Sequence, residues 1–339
     1  MTDYTIFSRK AWDGPYKKKE DGKVSFENID MGKNVSLVCQ EEGRSVFKMK
    51  DDTGDGRMTM YNVFPGVVVL YNDFHMERCA SGFRSNRNML CIDHCREGRI
   101  EWGMPHNSYV YVEEGDLQVD TRKCHFRDFN FPLSHYHGIT VGFLLEEAAE
   151  PLANVLEGIT IDLHFLKKKY CPEDRAFFMR AGRNIEHIFS ELYDLPEQVR
   201  IPYLKIKVLE LLLFLRIQEI PASGGERPYF YKTQVDKVKA MKEFLTEDIT
   251  RHYTLEELSE RFDFPLTSMK LCFKGVYGTS VFAYMKDYRM NAAAQMLRRS
   301  GASIVDIANR VGYENASKFS AAFKSVMGMT PTIYRKSGV

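Results

Sequence analysis

A repeat in the last third of the sequence constrains the fold more than any other feature. Two stretches carry the same residue types at matching positions, first 49 and then 50 residues apart, so the second stretch has one extra residue in its middle. The pairs 49 apart are Leu255 and Ile304, Leu258 and Ile307, Phe262 and Val311, and Phe264 and Tyr313. The pairs 50 apart are Phe273 and Phe323, Lys274 and Lys324, Gly278 and Gly328, and Tyr284 and Tyr334.

Each copy has the pattern of a short helix, a tight turn and a second helix. Thr254 and Glu257 form a capping box at the start of the first copy, and Ser303 with Asp306 is a weaker version in the second. Apolar residues three or four apart then predict a first helix with one inward face.

The turn and the end of each copy are also predictable. Gly312 suits the tight turn of the second copy, because glycine adopts positive φ at little cost. Asp263 at the matching position tolerates that conformation adequately. The second helices are predicted over residues 266–276 and 315–327, anchored by Phe273 and Phe323 and ended by glycine. Two helix-turn-helix units therefore span 254–278 and 303–328.

A connecting helix is predicted between the two units, over residues 281–299. The second helix of such a unit lies in the major groove of DNA, and its early residues contact base edges. Two units joined by a helix would reach successive grooves on one face of the duplex.

Charge supports this interpretation locally. Residues 265–339 contain eleven Lys and Arg against three Asp and Glu, a net charge of +8. The whole chain carries +1, which leaves −7 for residues 1–264. A basic segment on an acidic body is what contact with phosphates requires.

Several short motifs in this region resemble the AraC/XylS family of bacterial regulators. The second unit carries most of the match: Ile307-Ala308, Val311-Gly312-Tyr313, Phe319-Ser320, Phe323-Lys324, Gly328-Met329-Thr330-Pro331 and Tyr334-Arg335. The first unit, from Leu271 to Ser280 with Tyr284 and Arg289-Met290, is similar to the siderophore-sensing, pyochelin-type branch. The resemblance implies double-stranded DNA and RNA polymerase as partners, and an effector-binding, dimerising domain.

The family motif also implies which residues read DNA. In the first unit they are Thr267, Ser268, Lys270 and Leu271. In the second they are Ala316, Ser317, Ala321 and the adjacent Lys318. Leu271 and Ala321 stand where relatives often have arginine, and neither can make the bidentate guanine contact. Direct readout is therefore expected to be thin, with more weight on phosphates and DNA shape.

Lysines and arginines at helix ends have two interpretations. Lys274 and Lys324 contact phosphates or compensate the helix dipole, and Arg298 and Arg299 have the same alternatives. Tyr334 is expected to be a core residue.

The rest of the chain predicts an α+β multidomain protein. Residues 1–150 are expected to form a β-rich, cupin-like sandwich or barrel that senses an effector, with strands at 66–76, 89–102, 109–120 and 139–145 and turns at Glu97-Gly98 and Glu114-Gly115-Asp116. A helical segment follows at 151–220, a linker at 221–232, and an all-α DNA-binding domain at 233–339. Residues 198–219 are too apolar for one buried stripe, which indicates either a dimer contact or a fully buried helix.

Composition excludes some classes of protein. The first ten residues lack an apolar run and no stretch of eighteen apolar residues occurs, which predicts neither a signal peptide nor a membrane span. Seven scattered cysteines fit reduced thiols in the cytoplasm. No phosphate-binding loop or nucleophile elbow is present, so no enzymatic activity and no cofactor are expected.

Two histidine-containing clusters raise the question of a metal. Cys91, His94 and Cys95 lie in a predicted strand, where residues four apart are about 13 Å apart and cannot share an ion. His135 and His137 would share a strand face at roughly 6.6 Å, but the glutamate that completes a cupin metal motif is missing. Structural hydrogen bonds are the favoured role for this pair.

The sequence thus predicts a homodimeric, sequence-specific activator of transcription, controlled by a small molecule in its N-terminal domain. Three alternatives remain open: control by the protein's abundance, control by a protein partner, or metal sensing through His135 and His137. The identity of the effector and the pocket residues do not follow from the sequence.

Overall fold

A computed structural model describes residues 32–337 apart from 80–81, 84, 86, 105, 124–128, 154, 156–158, 160, 194 and 221–226. The first 31 residues of the expected N-terminal domain and half of the expected linker lie outside these residues. The expected architecture, a β-rich N-terminal domain followed by a helical domain with two helix-turn-helix units, is confirmed.

The described part of the N-terminal domain opens with a meander of four antiparallel strands. These are β1 (Val35–Glu41), β2 (Arg44–Asp51), β3 (Gly54–Phe64) and β4 (Val67–His75). Only β4 was predicted from the sequence. Strand β1 is almost entirely exposed, so it lacks the alternation of buried and exposed residues that identifies a strand.

The remaining strands close the sheet around an apolar interior. They are β5 (Arg78–Cys79), β6 (Met89–Met104), β7 (Ser108–Glu113), β8 (Asp116–Asp120), β9 (Phe129–Asn130) and β10 (Tyr136–Leu144). The main path runs β1-β2-β3-β4-β10-β6-β7, with β8 and β9 also paired to β6. The turn expected at Glu114-Gly115-Asp116 separates β7 from β8.

The turn expected at Glu97-Gly98 is wrong, because both residues lie inside β6. The strand pairs with β10 and β8 before this point and with β7 and β9 after it. Gly98 has φ +86°, and the pairing register with β10 shifts beside it. The strand therefore bends from one part of the sheet to another without ending.

Four helices cover one face of the sheet. They are α1 (Leu145–Ala153), α2 (Leu163–Tyr170), α3 (Arg183–Tyr193) and α4 (Arg200–Ile217), and β11 (Phe177–Arg180) pairs with β8 between them. Leu204, Leu211 and their neighbours in α4 join one hydrophobic core with the sheet. Ile206 is 60% exposed and Ile217 is 72% exposed, so the fully buried alternative for this helix is wrong.

The linker predicted over residues 221–232 ends earlier than expected. Phe230 and Tyr231 form β12, which pairs with β7 of the N-terminal domain. Helix α5 (Lys232–Glu247) follows directly. No helix in the described part of the chain is both long and apolar enough to cross a membrane.

Six further helices build the C-terminal region. They are α6 (Leu255–Arg261), α7 (Leu266–Tyr277), α8 (Val281–Arg299), α9 (Ile304–Arg310), α10 (Ala316–Met327) and α11 (Pro331–Ser337). Helix α8 has the bounds predicted for the connector. Two separate cores hold these helices, one around Phe273 and one around Phe323. The first core also contains Tyr111 of β7, whereas the second contains no residue before Ile249 among those described.

Candidate nucleic-acid interface and effector cavity

The first helix-turn-helix unit is closed by the local interactions that its sequence predicts. The Thr254 side chain accepts a hydrogen bond from the Glu257 amide, and the Glu257 carboxylate accepts one from the Thr254 amide, which completes the capping box. Asp263 adopts φ +44° in the turn. Gly278 ends α7 in the left-handed conformation.

The second unit repeats this geometry with different caps. Ser303 caps α9, and Asn315 caps α10 by accepting hydrogen bonds from the Ser317 and Lys318 amides at 2.9 and 3.0 Å. Asn315, which was predicted as the first residue of the helix, is therefore its N-cap. Gly312 has φ +81° in the turn, and Gly328 ends α10 at φ +75°.

The residues proposed to read DNA lie on the outer faces of α7 and α10. Both helices turn an opposite, apolar face inward, where Met269, Phe273, Phe319 and Phe323 are fully buried. The outward residues that are exposed are Thr267, Lys270, Leu271, Lys274, Ser317, Lys318, Ala321 and Lys324. Ser268 and Ala316 are half-buried. Both helices therefore present the proposed residues to solvent, and their contact with DNA remains a prediction.

A buried arginine fixes the two units relative to each other, and sequence reasoning missed this role. Arg289 of α8 is 7% exposed and donates to the carbonyls of Ile249 and Arg251, at 2.7 and 2.8 Å. His252, in the same loop, donates through Nε2 to the Gly312 carbonyl at 2.8 Å. The loop before the first unit thus contacts the turn of the second. The sequence offered one indication of this role: Arg289 is a charged residue on the buried side of α8.

The N-terminal domain contacts the first unit through Arg99 of β6. Its guanidinium donates two hydrogen bonds to the Gly275 carbonyl in the last turn of α7, from Nε at 3.1 Å and Nη2 at 2.7 Å. The last four carbonyls of a helix lack intrahelical partners, so Arg99 satisfies one of them. Arg99 also pairs with Glu113. Burial opposes ionisation of Glu113, but the hydrogen bond and charge of Arg99 outweigh it and hold the pKa of Glu113 below its usual value.

A second contact between the domains is a buried polar cluster around Glu101. Its carboxylate is 1% exposed and accepts hydrogen bonds from Tyr111, Asn130 and Lys239 at 2.6, 2.8 and 3.0 Å. Burial, and then the Glu101 charge, raise the pKa of Tyr111. Lys239 belongs to α5, so this cluster joins the sheet to the helix that precedes the first unit.

Strand β6 contacts the C-terminal helices on one side and an internal cavity on the other. Arg99 and Glu101 point toward the helices, whereas Ile100 and Trp102 line the cavity. Successive side chains of a strand point to opposite faces, which explains this alternation. One strand therefore contributes to both features.

The cavity has a volume of about 150 Å³ and is mostly apolar. Methionine and aromatic side chains form half of its lining: Met49, Met58, Met60, Met89, Phe74, Phe83, Trp102, Phe129, Phe131 and Tyr136. A small number of polar side chains joins them: Asn72, Asp93, Gln118, Arg122 and Thr140. An apolar pocket with a few convergent polar groups is typical of small-molecule sites. A wider, charged cleft of about 1350 Å³ separates the sheet from α5 and α8.

An ion-pair cluster forms the polar end of the cavity. Arg122 donates to Asp93 at 2.7 Å and to Asp120 at 2.5 Å. Asp93 Oδ1 also accepts from Thr140 at 2.6 Å, while Asp93 Oδ2 is buried without a hydrogen-bond partner in the described part of the chain. Burial alone would lower the pKa of Arg122, but Asp120 and Asp93 outweigh it and raise that pKa.

The structure adds partners to the His135 and His137 pair that its spacing in the sequence does not show. The His135 and His137 rings lie 6.4 Å apart, and His135 Nδ1 donates to the Leu133 carbonyl at 3.0 Å. His137 instead approaches Asp73 and His75 of β4, and one ligand atom from each of the three lies within 4.8 Å of the others. Asp73 pairs with His137 across the strands, which local spacing does not reveal.

The cluster of Cys91, His94 and Cys95 is part of the protein interior. All three residues are buried, and the His94 ring stacks on Phe189 at 4.3 Å. Burial lowers the pKa of His94, and Glu186 opposes that shift. Burial raises the pKa of Cys91 and of Cys95, so neither thiol is primed to bind a metal as a thiolate.

Comparison with known proteins matches residues 258–337 to a family described as a helix-turn-helix domain. The HTH-type transcriptional activator RhaR of Mannheimia succiniciproducens is 23% identical over 266 residues, which cover 68% of this chain and 96% of that protein. The HTH-type transcriptional regulator ExsA of Pseudomonas aeruginosa is 32% identical over 99 residues, 29% of this chain and 36% of that protein. These relatives are regulators and not enzymes, in agreement with the expected lack of catalysis.

Among solved structures, unsaturated fatty acid bound ToxT from Vibrio cholerae aligns over 81% of this chain and 97% of that chain. The two are 13% identical and the TM-score is 0.30.

Proposed function

We propose that the chain is a sequence-specific transcription activator of the AraC/XylS type, controlled by a small-molecule effector. The match of residues 258–337 to a helix-turn-helix family and the names of the relatives support this. One observation carries the DNA-binding part. Helices α7 and α10 each have a buried anchor and an exposed outer face, and Arg289 with His252 holds the two units in one arrangement. Exposed lysines on those faces favour contact with phosphates.

Base recognition is proposed to rest on few direct contacts. Leu271 is 60% exposed on α7 and Ala321 is exposed on α10, and neither side chain can donate a hydrogen bond. Apolar groups at these positions can meet a thymine methyl group. Most of the affinity would then come from phosphate contacts and from DNA shape.

Footprinting of the full chain on DNA flanking its own gene tests the DNA-binding part. Lys270→Glu should weaken binding and reduce the slope of log affinity against log salt by about 1. Lys168→Glu, on an exposed position of α2 in the N-terminal domain, is the matched control and should leave both unchanged. Equal effects of the two substitutions, or no protected DNA at low salt, would contradict the proposal.

The effector is proposed to bind in the 150 Å³ cavity. The support is that Ile100 and Trp102 line it while Arg99, between them, holds the Gly275 carbonyl of α7. A ligand that shifts this part of β6 would alter how the first unit docks. The rival, control by abundance or by a protein partner, predicts no thermal shift with extracts of inducing cultures.

The remaining partners stay proposals. We propose that the exposed face of α4, which contains Ile206 and Ile217, forms the contact of a homodimer. Contact of the chain with RNA polymerase is a separate proposal. Analytical ultracentrifugation of the full chain and of Ile206→Glu would test the dimer, since a charge in an apolar interface should dissociate it.

A second candidate function is metal sensing, which one observation favours. Nε2 of His75 and Nε2 of His137 lie 2.9 and 2.7 Å from Asp73 Oδ1, and Glu97 lies 3.6 Å from His137 Nδ1. Two histidines and a carboxylate suit Zn²⁺, and an outer carboxylate commonly orients a ligating histidine. His135 has no part in this set.

Calorimetric titration of the full chain with ZnCl₂ tests the metal candidate. His75→Asn should abolish a single Zn²⁺ equivalent. His187→Asn, which removes another exposed histidine beside a carboxylate, should not. Binding that survives His75→Asn would exclude this site as the sensor.

A further inference from the structure

The size of the cavity limits what it can hold. A volume of about 150 Å³ is comparable to that of engineered apolar cavities that accept one benzene molecule. Most of the lining is apolar, and Met49, Met58, Met60 and Met89 have flexible side chains that adapt to a ligand's shape. The ligand is therefore compact and has a largely apolar body.

One acceptor atom at the polar end of the cavity, Asp93 Oδ2, has no hydrogen-bond donor among the residues described. Asp93 is 8% exposed and lines the cavity, and its Oδ2 atom is buried with no partner among the residues described. An ionised carboxylate accepts hydrogen bonds and does not donate them. A buried acceptor without a partner is costly, so a donor that reaches it gains more than a typical exposed hydrogen bond.

Charge restricts the ligand further. Arg122 already donates to both Asp93 and Asp120, so both of its terminal nitrogens are engaged. A carboxylate ligand would have to displace one of these aspartates and would add like charge in a poorly solvated space. A cationic ligand would instead donate to the Asp93 oxygen that has no donor among the residues described.

We propose that the effector is a small amine: a compact apolar group, about the size of a benzene ring, bearing one ammonium that donates to Asp93. This inference rests on the proposed role of the cavity as the effector site. It names the chemical class of the ligand and the residue that selects it.

A series of four compounds that share one ring frame tests the class: benzylamine, benzyl alcohol, toluene and benzoate. The full chain has two tryptophans, Trp12 and Trp102, and Trp102 lines the cavity. In the Trp12→Phe protein, the fluorescence of Trp102 reports binding. Benzylamine should bind at least about tenfold more tightly than toluene, and benzoate should bind most weakly.

Substitution at Asp93 identifies the selecting group. Asp93→Asn should reduce the ratio of benzylamine to toluene affinity about tenfold and leave toluene binding unchanged. Asp116→Asn is the matched control, because Asp116 is also buried and paired with an arginine, Arg227, but does not line the cavity. It should keep the ratio of the unsubstituted protein.

Three results would overturn the amine class: benzoate binding as tightly as benzylamine, an unchanged ratio in Asp93→Asn, or no binding of any of the four. If Asp93→Asn does not fold, the order of affinities in the unsubstituted protein decides. Footprinting of the same preparation separates the failures. If toluene binds but the order of affinities is wrong, the cavity remains the proposed effector site and only the amine class is excluded. If none of the four compounds binds while the protein still protects DNA, the role of the cavity as effector site is excluded as well.

Discussion

Gly312 should tolerate replacement poorly, for two reasons that can be separated experimentally. Its φ of +81° costs an L-residue about 1–2 kcal/mol. A Cβ there would also lie 2.7 Å from the Thr250 carbonyl oxygen, which is backbone and cannot rotate away. Overpacking of this kind costs about 1–3 kcal/mol more. Gly312→Ala should therefore lose about 2–5 kcal/mol of local stability.

Two other glycines provide matched controls. Gly328 has nearly the same φ, +75°, but a Cβ would meet nothing within 4 Å, so Gly328→Ala should lose only about 1–2 kcal/mol. Gly301 has neither the positive φ nor a close neighbour, and Gly301→Ala should be neutral or stabilising by up to about 1 kcal/mol.

Hydrogen–deuterium exchange of peptides from α9 and α10 measures these differences in the full chain. Gly328→Ala should accelerate exchange about 5- to 30-fold, and Gly312→Ala by more than that. If Gly312→Ala exchanges no faster than Gly328→Ala, the contact with Thr250 does not matter and the reasoning from close approach is refuted.

Three further substitutions test other parts of the structure. Arg99→Gln removes charge-assisted hydrogen bonds worth about 1.5–3 kcal/mol, so exchange in the last turn of α7 should accelerate about tenfold or more while α10 stays unchanged; equal acceleration in both would contradict a local contact. Burial holds the pKa of His94 below its usual value. The unfolded chain therefore binds a proton that the folded chain does not, and the stabilisation is present above about pH 6.5 and lost as the pH falls. The melting temperature of His94→Gln should consequently change less between about pH 7 and 5 than that of the unsubstituted protein, and a parallel profile would exclude this group. Asn315→Ala removes a cap that accepts two amides, so it should cost about 1 kcal/mol and increase exchange in the first turn of α10, with unchanged exchange as the contrary result.

The helix-turn-helix units follow from the sequence because their determinants are local. Capping residues, a turn glycine and an apolar anchor all lie within one unit, so a repeat of the pattern predicts the repeat of the structure. The expected bounds of α7 and α10 differ from the observed ones by a single residue. Asn315 was assigned to the helix because helix ends are ambiguous by a residue without the cap geometry.

The rest of the site depends on contacts between distant residues. Arg99 and Gly275 are 176 positions apart, and no local pattern relates them. The Glu97-Gly98 pair has turn composition, yet strand pairing on both sides carries β6 through it. His137 meets Asp73 only because β10 and β4 are neighbours in the sheet. The polar end of the cavity likewise combines Asp93 and Arg122 from separate segments.

The pairing of β12 with β7 limits where two proteins of this kind can be joined into a chimera. Phe230 and Tyr231 follow residues 221–226, where the sequence suggests a natural point for joining halves of different origin. A chimera joined there would carry Phe230 with its own helices but lay it against a foreign edge strand and a foreign Tyr111. The N-terminal domain and the C-terminal helices therefore cannot be exchanged independently between such proteins. A chimera that folds correctly would need β7 and β12 from the same parent protein.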